Sequence, residues 1–317
     1  MKCLSLFLCV MGTAASAFGW GDAGHETIGA IADQLIKGTA AERHVRALLG
    51  EETLETASLW ADQIKYRTNQ WPEAVRFRVA NTNHFAMHFA DIPFEEATYR
   101  DDSIGARPDD VVHAIPACIL ILEGKAGEQS VLKDVSPKIA LRLLAHFIGD
   151  IHQPLHVGTG YLDGVRFVDP NGYSGRYIGD QGANRLVFGT NKLHFHWDIT
   201  AVQSAMARAG ADGPRQYAAW LLARTASWWQ TAGPPLDWAR QWADESLALS
   251  AKAHDVPVLS EDDSIIDRYT GRPRPQWRIR DLTPEYTAWS VNVTESQLAK
   301  AGCRLARTLE IIWPEGK

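Results

Sequence analysis

The sequence has 317 residues, with 32 lysines and arginines against 38 aspartates and glutamates, a formal charge of −6. Its overall sign is wrong for a basic nucleic-acid coat, so any polyanion must be gripped locally, by metal or by a few cations. With 45% apolar residues and neither a repeat nor a Pro/Ser-rich linker, the chain suits one large domain with a sizeable core.

The chain opens MKCLSLFLCVMGTAASAFGW. One lysine, an apolar run from Leu4 to Val10 and then small residues predict a secretory signal, with an apolar run too short to span a bilayer. Cleavage fits after Ala17 or after Gly19. Removing residues 1–19 takes away Lys2 and no acid, and it carries off Cys3 and Cys9. Cys118 and Cys303 remain in apolar helical patterns, which suit a disulfide and two buried free thiols equally.

Beyond the signal, apolar residues recur at three- and four-residue spacing over 22–37, 39–49, 53–67, 108–123, 136–152, 196–209, 214–231, 236–253 and 292–312. Several of these stretches start near Asp, Ser, Thr or Pro, and the expected fold class is all-α, a single multi-helix domain. Two stretches break the pattern. In GTGYLDGVRFVDPNGYSGRYIGDQGANRLVF, the RFV and RLVF pieces form either a small hairpin or an ordered loop. The later DVPVLSEDDSIIDRYTGRPRPQWRIRDLTPEY is polar and turn-rich and reads as a surface excursion.

Burial of apolar surface does not ask for the histidines and aspartates of HFIGDIHQPLH. On the helix KIALRLLAHFIGDIH, His146 and Asp150 are four apart and share a face, while His152 points away and His156 can curl back after Pro154. Alone, such a His–Asp pair is as readily a structural hydrogen bond as a metal site. LHFHWD adds His194 and Asp198 at the same spacing, NHFAMHFADIP adds His88 with His84 competing one turn earlier, SLWADQIK adds Asp62, and WGDAGHETIGAIA adds His25. Imidazoles and carboxylates at so many places suit zinc rather than an oxygen-only magnesium or calcium site, and imply more than one ion.

The ordered series WGDAGH, LWAD, HFADIP, HFIGDIHQPLH, GANRLVF, LHFHWD and QLAKAGCRLARTL covers essentially the whole chain after the signal. It resembles the S1/P1 nuclease family, secreted zinc enzymes that cleave single-stranded nucleic acid. The resemblance implies a helical domain, residues 20–317, around a three-zinc cluster. Asp62, His88, His146 and Asp150 would hold one ion, and His156, His194 and Asp198 another. The third would take His25, a bridging Asp150, and the amino group and carbonyl of an N-terminal Trp20, which requires cleavage between Gly19 and Trp20. A water bridging two zincs would lose a proton and attack phosphorus, leaving 5′-phosphate products, and terminal 3′-phosphate would be a second substrate.

The same resemblance places Lys65 near the phosphate, where the plain alternative is a solvated lysine on a helix surface. It implies that Phe89 stacks on a base, Asp91 accepts its hydrogen bonds and Asn184 completes the pocket, with Phe89 in the core as the alternative. His152 and His84 are left as structural residues or as partners of the ligands. A monomer in the medium or periplasm, with no membrane span and no stable protein partner, is expected.

Two departures from the family pattern stand out. The step of 28 positions from His156 to Asn184 exceeds the compact family connection and adds Tyr161, Phe167, Tyr173 and Tyr177, as a substrate-shaping flap or as padding. The cysteines do not sit where eukaryotic members place disulfides. Asn292 opens a glycosylation sequon but lies in a helical pattern. Zinc phospholipase C shares the tryptophan terminus and the His-x3-Asp-x5-His core and is the alternative enzyme; the short first-ligand spacing, WD and GAN favour the nuclease. A zinc-storing protein is the non-enzymatic alternative.

Overall fold

A computed structural model describes residues 20–65, 68–127, 130–224, 229–266, 271 and 274–316. The expected signal segment, residues 1–19, lies outside them.

The fold is mostly helical and is organised around the helix Pro137–Ile151. Ser136 starts it by accepting a hydrogen bond from the Ile139 amide, and Pro137 takes the first position, where a missing N–H costs nothing. Every residue from Ile139 to Ile151 is buried, so beyond its first two residues this helix has no solvent face. Three helices wrap it: Asp22–Leu35, Val111–Leu122 and Pro284–Ile312. Asp110 caps the second through the Val112 and His113 amides, and Thr283 caps the third through Tyr286. Ile28, Ile31, Leu144, Phe147, Leu298 and Leu305 belong to one continuous apolar core among these elements.

The 22–37, 39–49, 108–123 and 136–152 patterns appear as Asp22–Leu35, Ala40–Leu49, Val111–Leu122 and Pro137–Ile151. Elsewhere the boundaries move. The 53–67 pattern is interrupted at Ser58–Leu59, between Leu54–Ala57 and Trp60–Gln63. The 196–209 pattern opens with a wide π-helical turn over His196–Thr200 before Ala201–Ala209. The 214–231 pattern is helical over Pro214–Leu222, with 225–228 outside the described residues. The 236–253 pattern is the Trp238–Ala253 helix, and the last helix begins at Pro284 rather than at 292. A helix at Pro72–Ala80 and a 3₁₀ turn at His84–His88 were not anticipated.

The irregular stretches carry short strands. Arg166–Phe167 pairs with Tyr161–Asp163 and not with the RLVF piece, and Ile178–Gly179 completes a three-stranded sheet. Leu186–Phe188 instead joins Asn191–Lys192 on one side and Gln276–Ile279 on the other, with Val258–Asp262 at the far edge. The late polar stretch is therefore not a mere surface excursion. Trp277 and Ile279 point inward while Arg278 faces solvent, the period-two pattern of a half-buried strand. Trp277 is fully buried in a second apolar cluster with Leu155, Leu162, Leu186 and Trp197, and its indole donates to the Gly164 carbonyl at 2.8 Å.

Cys118 and Cys303 are free thiols. Among the described residues no helix is long and apolar enough to cross a membrane.

Where Asp22–Leu35 meets Pro284–Ile312, a Cβ on Gly302 would fall 2.5 Å from Ile31 Cβ. Gly302→Ala should therefore lower stability by about 1–3 kcal/mol through overpacking, despite alanine's better helix propensity. The expected signature is a lower urea midpoint at an unchanged slope.

Candidate metal centre

His146 and Asp150 lie one turn apart on the central helix, both without solvent exposure. The His146 ring is fixed by Nδ1–H, which donates to the Ser58 carbonyl at 2.6 Å. That carbonyl is available because the helical run is interrupted there. His156 Nδ1 donates in the same way to the His88 carbonyl at 2.7 Å, and His194 Nδ1 to the Gly182 carbonyl at 2.5 Å. A carbonyl can only accept, so all three rings carry their proton on Nδ1 and leave the Nε2 lone pair free to bind.

Asp150 is the hub. Its Oδ2 lies 2.9 Å from His88 Nδ1 and 3.0 Å from His146 Nε2, and its Oδ1 lies 3.4 Å from His156 Nδ1 and 3.5 Å from His25 Nε2. Asp62 Oδ1 approaches His146 Nε2 at 3.5 Å and His88 Nδ1 at 3.8 Å. The His25 ring stacks on His146 with centroids 3.8 Å apart. Gly149 allows this, since a Cβ there would sit 2.8 Å from His25 Nδ1.

Three groups of ligand atoms result, each with its atoms within 4.8 Å of one another: His25, His146 and Asp150; Asp62, His88 and His146; and His156, His194 and Asp198. The first two share His146, with Asp150 beside both. In the third, His194 Nε2 lies 3.2 Å from Asp198 Oδ2, across the start of the π-helical turn. Asp198 Oδ1 is held by Gln153 Nε2 at 2.7 Å, and Gln153 is itself fixed by the Leu155 amide. Trp20 is fully buried, its indole donates to the Gly149 carbonyl at 3.0 Å, and the Gly21 amide donates to the Asp198 carbonyl at 3.0 Å.

Burial pushes His88 and His156 down to about 3, and the same effect followed by the neighbouring His146 lowers His25. These rings are therefore neutral at physiological pH, the form that binds metal. His146 is raised, because Asp150 and Asp62 outweigh the burial that opposes its charge. Burial opposes ionisation of Asp62 too, yet Lys65, His146 and His88 bring it down to about 2, whereas for Asp198 burial wins and raises it to about 6.

The residues fit metal. Both nitrogens of His25, Asp62 Oδ2 and Asp150 Oδ1 are buried and complete no hydrogen bond. Groups left so would cost several kcal/mol each unless a cation balances them. Nitrogen and carboxylate donors together suit a borderline ion such as zinc.

The other sequence-predicted residues fall as follows. Lys65 is buried, not a solvated surface lysine, and its Nζ lies 2.6 Å from Asp62 Oδ1. Phe89 and Asn184 are half-buried, and Asn184 Nδ2 donates to the Gln181 carbonyl at 3.0 Å. Asp91 Oδ1 accepts from the Thr159 hydroxyl at 2.8 Å, and burial raises its pKa. His84 stands outside all three groups, stacked on Phe85 and lowered to about 4 by burial, Arg78 and Lys65. His152 spends Nδ1 on the Ile148 carbonyl and accepts from Arg304 Nη1 at 2.8 Å on Nε2. The orienting groups Ser58, Gly182 and Gln153 were not read from the sequence. Gln153 lies inside the HQPLH run, where a polar side chain between ligands is a usable signal; the two carbonyls leave none.

A family model described as S1/P1 Nuclease matches residues 20–313. The chain is similar to Endonuclease 3 of Arabidopsis thaliana, 28% identical over 301 residues that cover 93% of this chain and 89% of the relative. It is also similar to Nuclease S1 of Aspergillus oryzae, 25% identical over 98% of both chains. Nuclease P1 of Penicillium citrinum is 23% identical over 92% of this chain and 97% of the relative.

Asp150→Asn should lower bound metal to a small fraction of its original value by elemental analysis, since it removes the carboxylate common to the neighbouring ligand atoms. His152→Ala should keep the metal-to-protein ratio but cost about 1–3 kcal/mol of stability, because it leaves Arg304 Nη1 without that acceptor.

Proposed function

The chain belongs to the S1/P1 nuclease family, and from that premise we propose a zinc enzyme that hydrolyses single-stranded DNA and RNA endonucleolytically to 5′-phosphate products, with 3′-nucleotidase activity on terminal phosphate. That it is a hydrolytic nuclease acting on nucleic acid follows from the family and from the nuclease relatives. The observation that carries the finer reading is the juxtaposition of three buried His/Asp groups in the matched region.

In this reading Asp62, His88, His146 and Asp150 hold one zinc; His156, His194 and Asp198 hold a second; and His25, Asp150 and the amine and carbonyl of an N-terminal Trp20 hold the third. Zinc at such a site lowers the pKa of water and neutralises charge on phosphate oxygens. The chain's own groups do the rest. Lys65, whose ammonium lies 2.6 Å from Asp62 Oδ1, supplies positive charge beside the ligand groups for a phosphate oxygen. Phe89 offers a ring face for an unpaired base, and Asp91 and Asn184 offer polar atoms at its edge. Stacking of this kind tolerates any base but requires that it be unpaired. Residues 1–19 act as the export signal and residues 20–317 as the nuclease domain, a secreted or periplasmic monomer without a stable protein partner.

A fluorogenic single-stranded oligonucleotide should be cleaved at least ~10-fold faster than the same sequence in an intact duplex, since unpairing a base costs a few kcal/mol. Chelation should abolish cleavage, and lecithin should release no phosphorylcholine. Equal rates on single strands and duplex would remove the base pocket from this reading; phosphorylcholine release in its place would favour the phospholipase.

The amine of Trp20 can serve a zinc only if it is the chain terminus, where its pKa is roughly 7.7–8; behind Gly19 the same nitrogen is an amide. Protein beginning at Trp20 should hold three zincs, and protein retaining a residue before it two, with most activity lost. Intact mass and zinc stoichiometry on both forms check this, and a fully active three-zinc protein with an extended terminus excludes Trp20 as a ligand.

A further inference from the structure

We propose that Thr159 is a positioning residue for base recognition: its hydroxyl sets which oxygen of Asp91 faces the substrate and ties that carboxylate to the loop that orients His194. The inference rests on the reading of Asp91 as a base-pocket residue.

Thr159 is 1% exposed and its hydroxyl has two neighbours. The Gly182 amide donates to Oγ1 at 2.9 Å, so the single hydroxyl proton goes to Asp91 Oδ1 at 2.8 Å. An N–H cannot accept, so the direction of this pair of bonds is not negotiable. Asp91 Oδ1 is thereby committed as an acceptor, and Oδ2 is the oxygen left for an N–H donor on a base edge.

The surroundings hold both partners of Thr159 in place. Ile92–Pro93 pairs in parallel with Gly158–Thr159, the Phe94 amide donates to the Thr159 carbonyl at 3.1 Å, and the Tyr161 hydroxyl donates to the Asp91 carbonyl at 2.9 Å. On the other side, Gln181, Gly182 and Ala183 are three consecutive residues with φ between 57° and 62°. Two of them carry a Cβ and are strained in that region, so the turn needs external support. Asp180 Oδ1 supplies it by accepting from the amides of Gly160 and Ala183, at 3.2 and 2.8 Å, the residues directly after Thr159 and Gly182. His254 Nε2 lies 3.1 Å from the other Asp180 oxygen, and both side chains are fully buried. The Gly182 carbonyl receives His194 Nδ1. One strained turn thus serves the base carboxylate through its amide and the His194 ligand ring through its carbonyl.

The test uses full-length mature protein with its metal. Thr159→Val, Thr159→Ser and Asp91→Asn are compared on a dinucleoside monophosphate and on its analogue lacking the 5′ base, with zinc content measured for each. Thr159→Val should lower selectivity for the intact dinucleotide over the abasic analogue about tenfold, mainly through KM, with zinc content retained. Thr159→Ser, which restores the hydroxyl, should return selectivity to within about twofold of the original. Thr159→Ala is the second variant should valine prevent folding. Unchanged selectivity without the hydroxyl overturns the inference, as does loss of zinc with equal loss of turnover on both substrates. If Asp91→Asn lowers selectivity while Thr159→Val does not, this inference alone fails. If Asp91→Asn leaves selectivity intact, the base-pocket reading fails and the inference with it.

Discussion

A carboxylate without solvent exposure, in the last turn of the buried central helix, is the constraint from which the rest of the structure follows. Asp150 is surrounded by His25, His88, His146 and His156 at 2.9 to 3.5 Å. An ion of that kind costs several kcal/mol to desolvate unless the surroundings return as much. The surrounding rings are in turn held from separate places: His25 by the first helix, His88 by a 3₁₀ turn, His146 by the Ser58 carbonyl and His156 by the His88 carbonyl. Breaks in regular structure around the centre therefore have a purpose. The interruption at Ser58–Leu59 and the π-helical turn at His196–Thr200 each lie where a regular helix would put a carbonyl or a ligand on a different bearing.

The ligand-type residues were legible in the sequence because their chemistry is conspicuous and their spacing local. A His and an Asp four apart in an apolar helix share a face wherever the helix goes, and HFIGDIH and LHFHWD both show this. The core helices were legible for the same reason of period. What escaped the reading depends on partners distant in the chain. Gln276–Ile279 alternates correctly but is embedded in polar, turn-rich sequence, and its partner Leu186–Phe188 lies far upstream. Pro72–Ala80 has hardly any apolar stripe, so its period carried little signal. Backbone carbonyls that orient histidines have no letter in the sequence at all.

The second apolar cluster explains why the glycine-rich insertion is ordered. Leu162, Leu186, Trp197 and Trp277 come from four separate stretches and bury one another away from the main core. Tyr161, next to Leu162 in the chain, is fixed in turn: its hydroxyl reaches the Asp91 carbonyl and its ring meets Tyr177 edge to face. The insertion is anchored through Thr159 and Tyr161 to the segment that carries Phe89 and Asp91.

The free state of Cys118 and Cys303 acquires a meaning beside the separation of the ligands. Trp20 and Gly149, hydrogen-bonded to each other, stand 129 positions apart, and His88 and His146 stand 58 apart. A cation seated among such residues would close long loops and remove chain entropy from the unfolded ensemble, the work that a disulfide does elsewhere. Coordination of this kind needs no oxidising partner and can be undone by acid or by chelators rather than by thiols. A cation bound there would cross-link the chain by charge, and the stability it added would depend on the metal supply of the surroundings instead of their redox state.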